Sequence, residues 1–129
     1  NFNKPLNRNG ANFHKIPSSF STISSNNNTI HQKTLNVEDY SKIIVVYPVW
    51  WYKPAAPIYT FFDMFDLSGK IVVPCATNAG WLGKGLSEIS KIARGAMVVN
   101  DISILFTEDY KENKMKTDIN EIMEWVKRI

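Results

Sequence analysis

Two continuous apolar runs constrain the fold of this chain more than any other feature. The runs read KIIVVYP at residues 42–48 and IVVPCAT at residues 71–77. A strand with one face in water alternates apolar and polar residues, whereas a strand inside a parallel sheet is covered on both faces and reads as an unbroken apolar run. The two runs therefore predict neighbouring strands in the interior of a parallel sheet.

A helical pattern follows each of these predicted strands. Pro54 and Pro57 suit the first turn of a helix, where a missing N–H costs no hydrogen bond. Four apolar residues then repeat at helical spacing on one face: Ile58, Phe61, Phe62 and Phe65. After the second strand, Leu86, Ile89 and Ile92 or Ala93 repeat in the same way up to Gly95. Each pattern predicts a helix that packs on the sheet.

The last third of the chain predicts one more strand and one more helix. AMVVNDISILF at residues 96–106 reads as a longer strand that is bent near Asn100. TDINEIMEWVKRI at residues 117–129 is amphipathic. Its predicted buried stripe consists of Ile119, Ile122, Met123, Val126 and Ile129. Strand and helix thus alternate three times over residues 40–129, which is typical of a three-layer α/β fold with helices on both faces of a parallel sheet.

Composition limits the function classes. A length of 129 residues predicts a single domain over residues 1–129. The net charge of +3 comes from residues 1–37, which contain Lys4, Arg8, Lys15 and Lys33 and no acidic residue. These dispersed charges form no dense patch, and no apolar run reaches the roughly 18 residues of a membrane span. We therefore expect no nucleic-acid partner, no membrane partner and a polar N-terminal segment over residues 1–39.

Two loops carry the candidate binding residues, because ligands of open parallel sheets bind at the carboxyl ends of the strands. The first loop follows the run at residues 42–48 and the second follows the run at residues 71–77, and the last residue of each run is counted with its loop. Their candidate residues are Pro48, Val49, Trp50, Trp51, Tyr52 and Lys53, and Thr77, Asn78, Ala79, Gly80, Trp81 and Gly83. Large aromatic side chains at such an edge favour a flat ligand. Two alternatives stay open: one of Trp50 and Trp51 packs in the core, and Trp81 blocks the site instead of lining it.

The sequence gives little indication of metal binding or of nucleophilic catalysis. His14 and His31 have no second ligand at metal-binding spacing, so we expect no metal site. Cys75 lies in a predicted buried strand and reads as a small apolar residue rather than a nucleophile. As the single cysteine it excludes an internal disulfide, and we expect a reducing, cytoplasmic compartment. No side chain is predicted to be catalytic.

The spaced combination of YPVWW, KPAAPIYTFFDMFDLSGKIVVPCAT and the glycine-bearing loop after it resembles the flavodoxin-like family, specifically its short bacterial branch. The likeness covers residues 40–129. GANFHKIP at residues 10–17 is similar to the second strand of that family and predicts an edge strand near residues 12–16. On this alignment the first strand, the phosphate loop and nearly all of the first helix are missing. The resemblance therefore implies a flavodoxin-like sheet that is N-terminally truncated or incomplete.

The resemblance also implies the cofactor flavin mononucleotide (FMN), with the tryptophan loop against its isoalloxazine ring and the second loop at the ring edge. The first hypothesis is an FMN-binding electron-transfer protein or small flavin oxidoreductase. It would act on a redox partner protein or on a small acceptor such as a quinone. The second hypothesis is a cofactor-free, truncated or degenerate binding or assembly module, which could form a homodimer through unpaired strand edges.

The missing phosphate loop sets an expectation for affinity. Hydrogen bonds to a charged group contribute about 1.5–3 kcal/mol each, so three or four of them amount to roughly 4–10 kcal/mol. Stacking on an aromatic side chain adds only about 0.5–1.5 kcal/mol per pair beyond area burial. On these magnitudes we expect the 129-residue chain to bind FMN poorly.

Overall fold

The computed structural model describes residues 36–109 and 111–129, and before them the backbone of two short strands. These are β1 (Thr22–Ile23) and β2 (Ile30–His31), which pair antiparallel. The edge strand predicted near residues 12–16 lies outside the described residues, as does most of the polar N-terminal segment.

After these, one or two strands alternate with a helix along the rest of the described chain. A short 3-10 helix (Val37–Asp39) leads into β3 (Lys42–Trp50), β4 (Lys53–Pro54), α1 (Ala56–Met64), β5 (Ile71–Asn78), α2 (Ile89–Ile92), β6 (Met97–Val98), β7 (Ile102–Leu105) and α3 (Ile119–Arg128). Pro57 lies in the first turn of α1, as predicted. The second helix is shorter than its apolar pattern, because turns occupy residues 83–88 before α2 begins.

The sheet is built on the parallel pair β3 and β5. Their register runs from Lys42 opposite Ile71 to Pro48 opposite Thr77. The other edge of β5 pairs in parallel with β6 at its start and with β7 at its end. The predicted bend is present: Asn100 has φ +51° between β6 and β7, a left-handed conformation that interrupts a strand. The α/β fold with a parallel sheet is therefore confirmed.

Helices cover the two faces of the sheet unequally. On one face Val45, Tyr47 and Val72 pack with residues of α1 and α2. On the other face Val73 and Cys75 pack with residues of β7 and α3. As a result β5 is buried on both faces, whereas β3 is covered only on the face that meets α1 and α2.

The terminal helix differs from its predicted packing. Of the predicted stripe, Ile122 and Ile129 pack against the sheet, whereas Ile119, Met123 and Val126 are more than half exposed. Trp125 is the buried residue of α3, and its indole N–H donates to the backbone carbonyl of Asn100. The apolar residues of α3 extend beyond the face of the helix that packs on the sheet. Periodicity alone therefore overstates how much of α3 is buried.

This packing predicts opposite outcomes for two substitutions in α3. Trp125→Ala should lower the free energy of unfolding by about 3–5 kcal/mol, because it leaves a cavity beneath the helix. Met123→Ala should change it by less than about 0.5 kcal/mol, because that side chain is exposed. Urea unfolding followed by circular dichroism measures both. Equal losses would show that Met123 is buried in the protein and contradict the packing described.

Candidate functional site

A tight turn at the end of β3 presents the first group of aromatic residues. Trp50 is paired with Lys53, so only Trp51 and Tyr52 lie between β3 and β4. Both have positive φ, 51° and 64°, as a two-residue type I′ hairpin turn requires. Asn and Gly are the usual residues of such a turn, because larger side chains are strained in the left-handed region. The turn thus holds two bulky aromatics in a conformation that costs free energy.

The loop after β5 is held by its first residue. The side-chain oxygen of Asn78 accepts from the backbone N–H of Gly80 at 3.0 Å. The side-chain amide of Asn78 donates to the hydroxyl of Ser103 in β7 at 2.7 Å. One side chain therefore fixes both the start of the loop and its position relative to the neighbouring strand.

Direct contacts fasten the two loops to each other. The backbone N–H of Lys84 donates to the carbonyl of Tyr52 at 2.7 Å. Gly83 has φ +49°, and a Cβ added there would lie 2.5 Å from the Cβ of Tyr52. A Cβ at Gly85 would likewise lie 2.6 Å from a methyl carbon of Val49. Only glycine lets the backbone of the second loop come this close to Tyr52 and Val49. Gly83 and Gly85 therefore stand where the second loop touches the first.

Sequence reasoning missed the hydrogen bond that ties this junction to the sheet. The hydroxyl of Tyr47, which is buried in β3, donates to the carbonyl of Gly85 at 2.7 Å. Burial, together with the negative charge of Asp101, raises the pKa of Tyr47 above its ordinary value, so the group keeps its proton and donates. The sequence signal for this hydrogen bond was Tyr47 itself, a single hydroxyl-bearing residue inside the otherwise apolar run at residues 42–48.

A cavity of about 470 Å³ lies between the two loops. Its lining consists of Val49, Trp50, Trp51, Tyr52, Asn78, Ala79 and Trp81. Tyr52 and Trp81 meet edge to face across it, with ring centroids 6.1 Å apart. Trp51 is 91% exposed and Trp81 is 58% exposed. Aromatic surface is therefore held open to solvent at the carboxyl ends of two parallel strands.

The predicted site residues fall into three groups. Seven of the twelve line the cavity just described. Lys53 instead lines an adjoining cavity of about 440 Å³, which shares Trp50 and Trp51 and adds Tyr59 and Glu88. Pro48, Thr77, Gly80 and Gly83 lie in the strand ends and loops but line neither cavity. Tyr59 and Glu88 were not predicted; burial, and then the charge of Glu88, raises the pKa of the Tyr59 hydroxyl.

The lining determines what the first cavity can do. Apart from Asn78 its side chains are apolar or aromatic, and none is a carboxylate, histidine, cysteine or lysine. Such a surface suits a planar ring, with loop backbone groups available to its edge. Among the described residues the acid–base groups of the cavity are limited to the Tyr52 hydroxyl, so redox or group-transfer chemistry would have to come from the bound molecule.

The described groups outside the two cavities add no second centre. Cys75 is buried beneath α3, and burial raises the pKa of its thiol, so the group is held as the unreactive thiol. Among the described residues, no cluster of three or more His, Cys, Asp or Glu side chains could hold a metal ion. Within the same part of the chain, no helix has the length and apolar character to cross a membrane.

Comparison with known proteins identifies similar chains. A family model described as flavodoxin matches residues 15–129. No match to a curated protein was found. A flavoprotein from Lactobacillus acidophilus NCFM, solved in complex with FMN, is 25% identical over 76% of this chain and 57% of its own, with a TM-score of 0.52. A candidate flavoprotein from Bacteroides eggerthii DSM 20697 is 24% identical over 78% of this chain and 58% of its own, with a TM-score of 0.50. The chain thus spans less than two thirds of the length of these solved structures.

The strained turn predicts a substitution that stabilises the protein. Trp51→Asn should raise the free energy of unfolding by about 1 kcal/mol, because asparagine tolerates positive φ and Trp51 loses little buried surface. Tyr40→Asn is the matched control, since Tyr40 is 52% exposed but has an ordinary φ of −114°. Urea unfolding of both variants measures the difference. A loss of stability in Trp51→Asn would show that the Trp51 side chain contributes packing that outweighs its strain.

Proposed function

The chain belongs to the flavodoxin family, and on that premise we propose that it binds FMN in the aromatic cavity and carries electrons. The observation that carries this proposal is the position of the cavity. It lies between loops from the carboxyl ends of β3 and β5, adjacent parallel strands, which is where open α/β sheets bind their ligands. The FMN complex of the Lactobacillus acidophilus flavoprotein supports the choice of ligand.

The residues of the cavity fit the ring part of FMN. Trp51 and Trp81 supply exposed aromatic surface for stacking, and Tyr52 stands edge-on to Trp81. The volume of about 470 Å³ lies within the range of small-molecule sites. FMN, when bound, supplies the electron transfer through its ring system. The protein would bind and orient that ring and exclude water from its covered face.

Among the described residues the lining contains no carboxylate, histidine, cysteine or lysine and a single phenolic hydroxyl, that of Tyr52, which favours simple electron transfer over substrate chemistry. Transfer of an electron needs no proton donor on the protein, whereas general acid–base catalysis needs a titratable side chain within hydrogen-bond reach. A redox partner protein or a small planar acceptor such as a quinone would approach the open side of the ring. The exposed indole of Trp51 borders that approach.

A second candidate function is a binding or assembly module that works without cofactor. It is favoured by one observation outside the cavity: apolar residues of β3 and α3 are exposed on the same face of the sheet. Flavin titration separates the two candidates.

We predict that the chain binds FMN and riboflavin with dissociation constants within about tenfold of each other, both micromolar or weaker. The cavity would contact the ring that the two molecules share, and no cationic side chain is among the described residues that line it. A phosphate held by three or four charge-assisted hydrogen bonds would instead favour FMN by roughly 4–10 kcal/mol, or about three to seven orders of magnitude. Quenching of flavin fluorescence measures both constants.

Two results of that titration would be decisive against parts of the proposal. A preference for FMN above about a hundredfold would mean that this chain holds the phosphate by itself. No quenching by either flavin at high micromolar concentration would favour the cofactor-free module.

Substitutions in the cavity should weaken flavin binding in proportion to lost stacking. Trp51→Asn and Trp81→Ala should each raise the dissociation constant for riboflavin by roughly 2- to 12-fold, equivalent to about 0.5–1.5 kcal/mol. Tyr40→Asn, which removes an exposed aromatic outside the cavity, should leave it unchanged. An unchanged constant in both tryptophan variants would place the flavin elsewhere. For Trp51→Asn, weaker binding should accompany higher stability.

A further inference from the structure

We infer that the adjoining cavity, the one lined by Lys53, binds a small zwitterion with a carboxylate and a positively charged nitrogen a few bonds apart. This cavity of about 440 Å³ is called here the charged cavity. Its lining combines aromatic surface with a cation and an anion, and includes Trp50, Trp51, Lys53, Ala56, Tyr59 and Glu88. It shares only the two tryptophans with the aromatic cavity. The inference does not depend on flavin binding.

Three elements bring the polar groups of the charged cavity together. The β3–β4 hairpin supplies Lys53, α1 supplies Tyr59, and Glu88 is the residue that precedes α2. The backbone N–H of Lys84 donates to the carbonyl of Tyr52 in the hairpin, and the carbonyl of Lys84 accepts from the N–H of Glu88 at 3.1 Å. Backbone hydrogen bonds therefore hold Glu88 next to the hairpin, and its side chain is left available to the cavity.

The carboxylate of Glu88 lacks the partners that a mostly buried charge requires. Its side chain is only 18% exposed. Among the described residues its ion pair is with Lys91, at 3.7 Å, and the side chain of Lys91 is itself 66% exposed. In the same part of the chain no group donates a hydrogen bond to this carboxylate, and it does not cap α2. An exposed ion pair is weak, so a bound cation would stabilise this charge.

Lys53 provides the opposite charge on the same cavity. Its ammonium and the carboxylate of Glu88 form no ion pair, so these two described groups lie more than 4.0 Å apart. α1 begins at Ala56, which also lines the cavity, and the positive end of a helix adds to the field of the ammonium. A space lined by a cation and an anion that do not meet is complementary to a ligand with the reverse arrangement of charges.

The aromatic side chains of the lining favour a methylated nitrogen as the positive group. Trp50, Trp51 and Tyr59 all line the cavity, and aromatic rings, tryptophan above all, attract quaternary ammonium groups. Burial, and then the charge of Glu88, raises the pKa of the Tyr59 hydroxyl, which shows that the carboxylate acts on this ring. The nitrogen would therefore lie against the aromatic groups near Glu88, with the carboxylate of the ligand towards Lys53.

Ligands with fewer charges fit the cavity less well. A simple anion would meet Lys53 but would be repelled by Glu88, and a simple cation would have the reverse difficulty. A neutral molecule would use the rings alone and would leave the carboxylate of Glu88 without a partner. The two opposite charges thus select for a ligand that has both and against ligands that have one.

The test uses the full chain without flavin and four probes of nearly the same shape. Glycine betaine carries both charges, and choline carries only the positive one. In their tert-butyl analogues carbon replaces nitrogen, so ionised tert-butylacetic acid carries only the negative charge and the analogue of choline carries none. Each probe gives one strong methyl proton signal, which nearby indole rings should shift. Titration followed by this shift measures the dissociation constants, and amide shifts of the chain locate the site.

We expect betaine to bind roughly 3- to 30-fold more tightly than choline or ionised tert-butylacetic acid, and the neutral analogue to bind most weakly. Glu88→Gln should remove the advantage of the two nitrogen probes over their tert-butyl analogues. Lys53→Met should remove the advantage of the two carboxylates over the two alcohols. Lys91→Met should tighten the binding of betaine and choline, because it removes a competing partner of Glu88.

Two variants serve as matched controls. Glu121→Gln and Lys116→Met alter exposed residues that line neither cavity, so they should leave all four dissociation constants unchanged. Glu88→Gln keeps the size of the side chain and removes no helix cap, so that variant should keep the fold, which circular dichroism checks.

Two results would overturn the inference. Betaine that binds no more tightly than choline or ionised tert-butylacetic acid would show that the cavity does not recognise both charges. No shift of any methyl signal at high millimolar probe concentration would show that the cavity does not admit this class of ligand.

Discussion

The parallel pairing of β3 with β5 is the constraint on which the rest of this structure depends. Its register ends with Pro48 opposite Thr77, so the loops after the two strands leave the sheet at the same level. A shift of the register would move the carbonyl of Gly85 away from the Tyr47 hydroxyl and Lys84 away from Tyr52. The aromatic cavity therefore exists because β3 and β5 pair in one register, and its side chains line the space that this pairing forms.

Strain at the edge of the cavity is consistent with a binding role. A turn of Trp51 and Tyr52 with two positive φ angles is a poor choice for stability, and Asn-Gly would suit it better. Buried packing does not offset the cost at Trp51, whose side chain is almost fully exposed. Strained residues persist where the surrounding structure holds them and where function uses their position. Here the β3–β4 pairing and the Tyr52–Lys84 hydrogen bond hold the turn.

Features that depend on local pattern were predictable, and features that depend on what packs opposite a residue were not. The unbroken run of β5 predicted its place inside a parallel sheet, because burial on both faces leaves a direct record in residue type. The equally apolar run of β3 overstated its burial, since one face of β3 is exposed. The stripe of α3 was misjudged, because a helical period reports which residues are apolar but not what stands opposite them. Trp125 was left out of the predicted stripe and is the buried one, since its contact is to the backbone of Asn100. The two-residue turn between β3 and β4 was not predicted, because Trp and Tyr are not residues that favour turns.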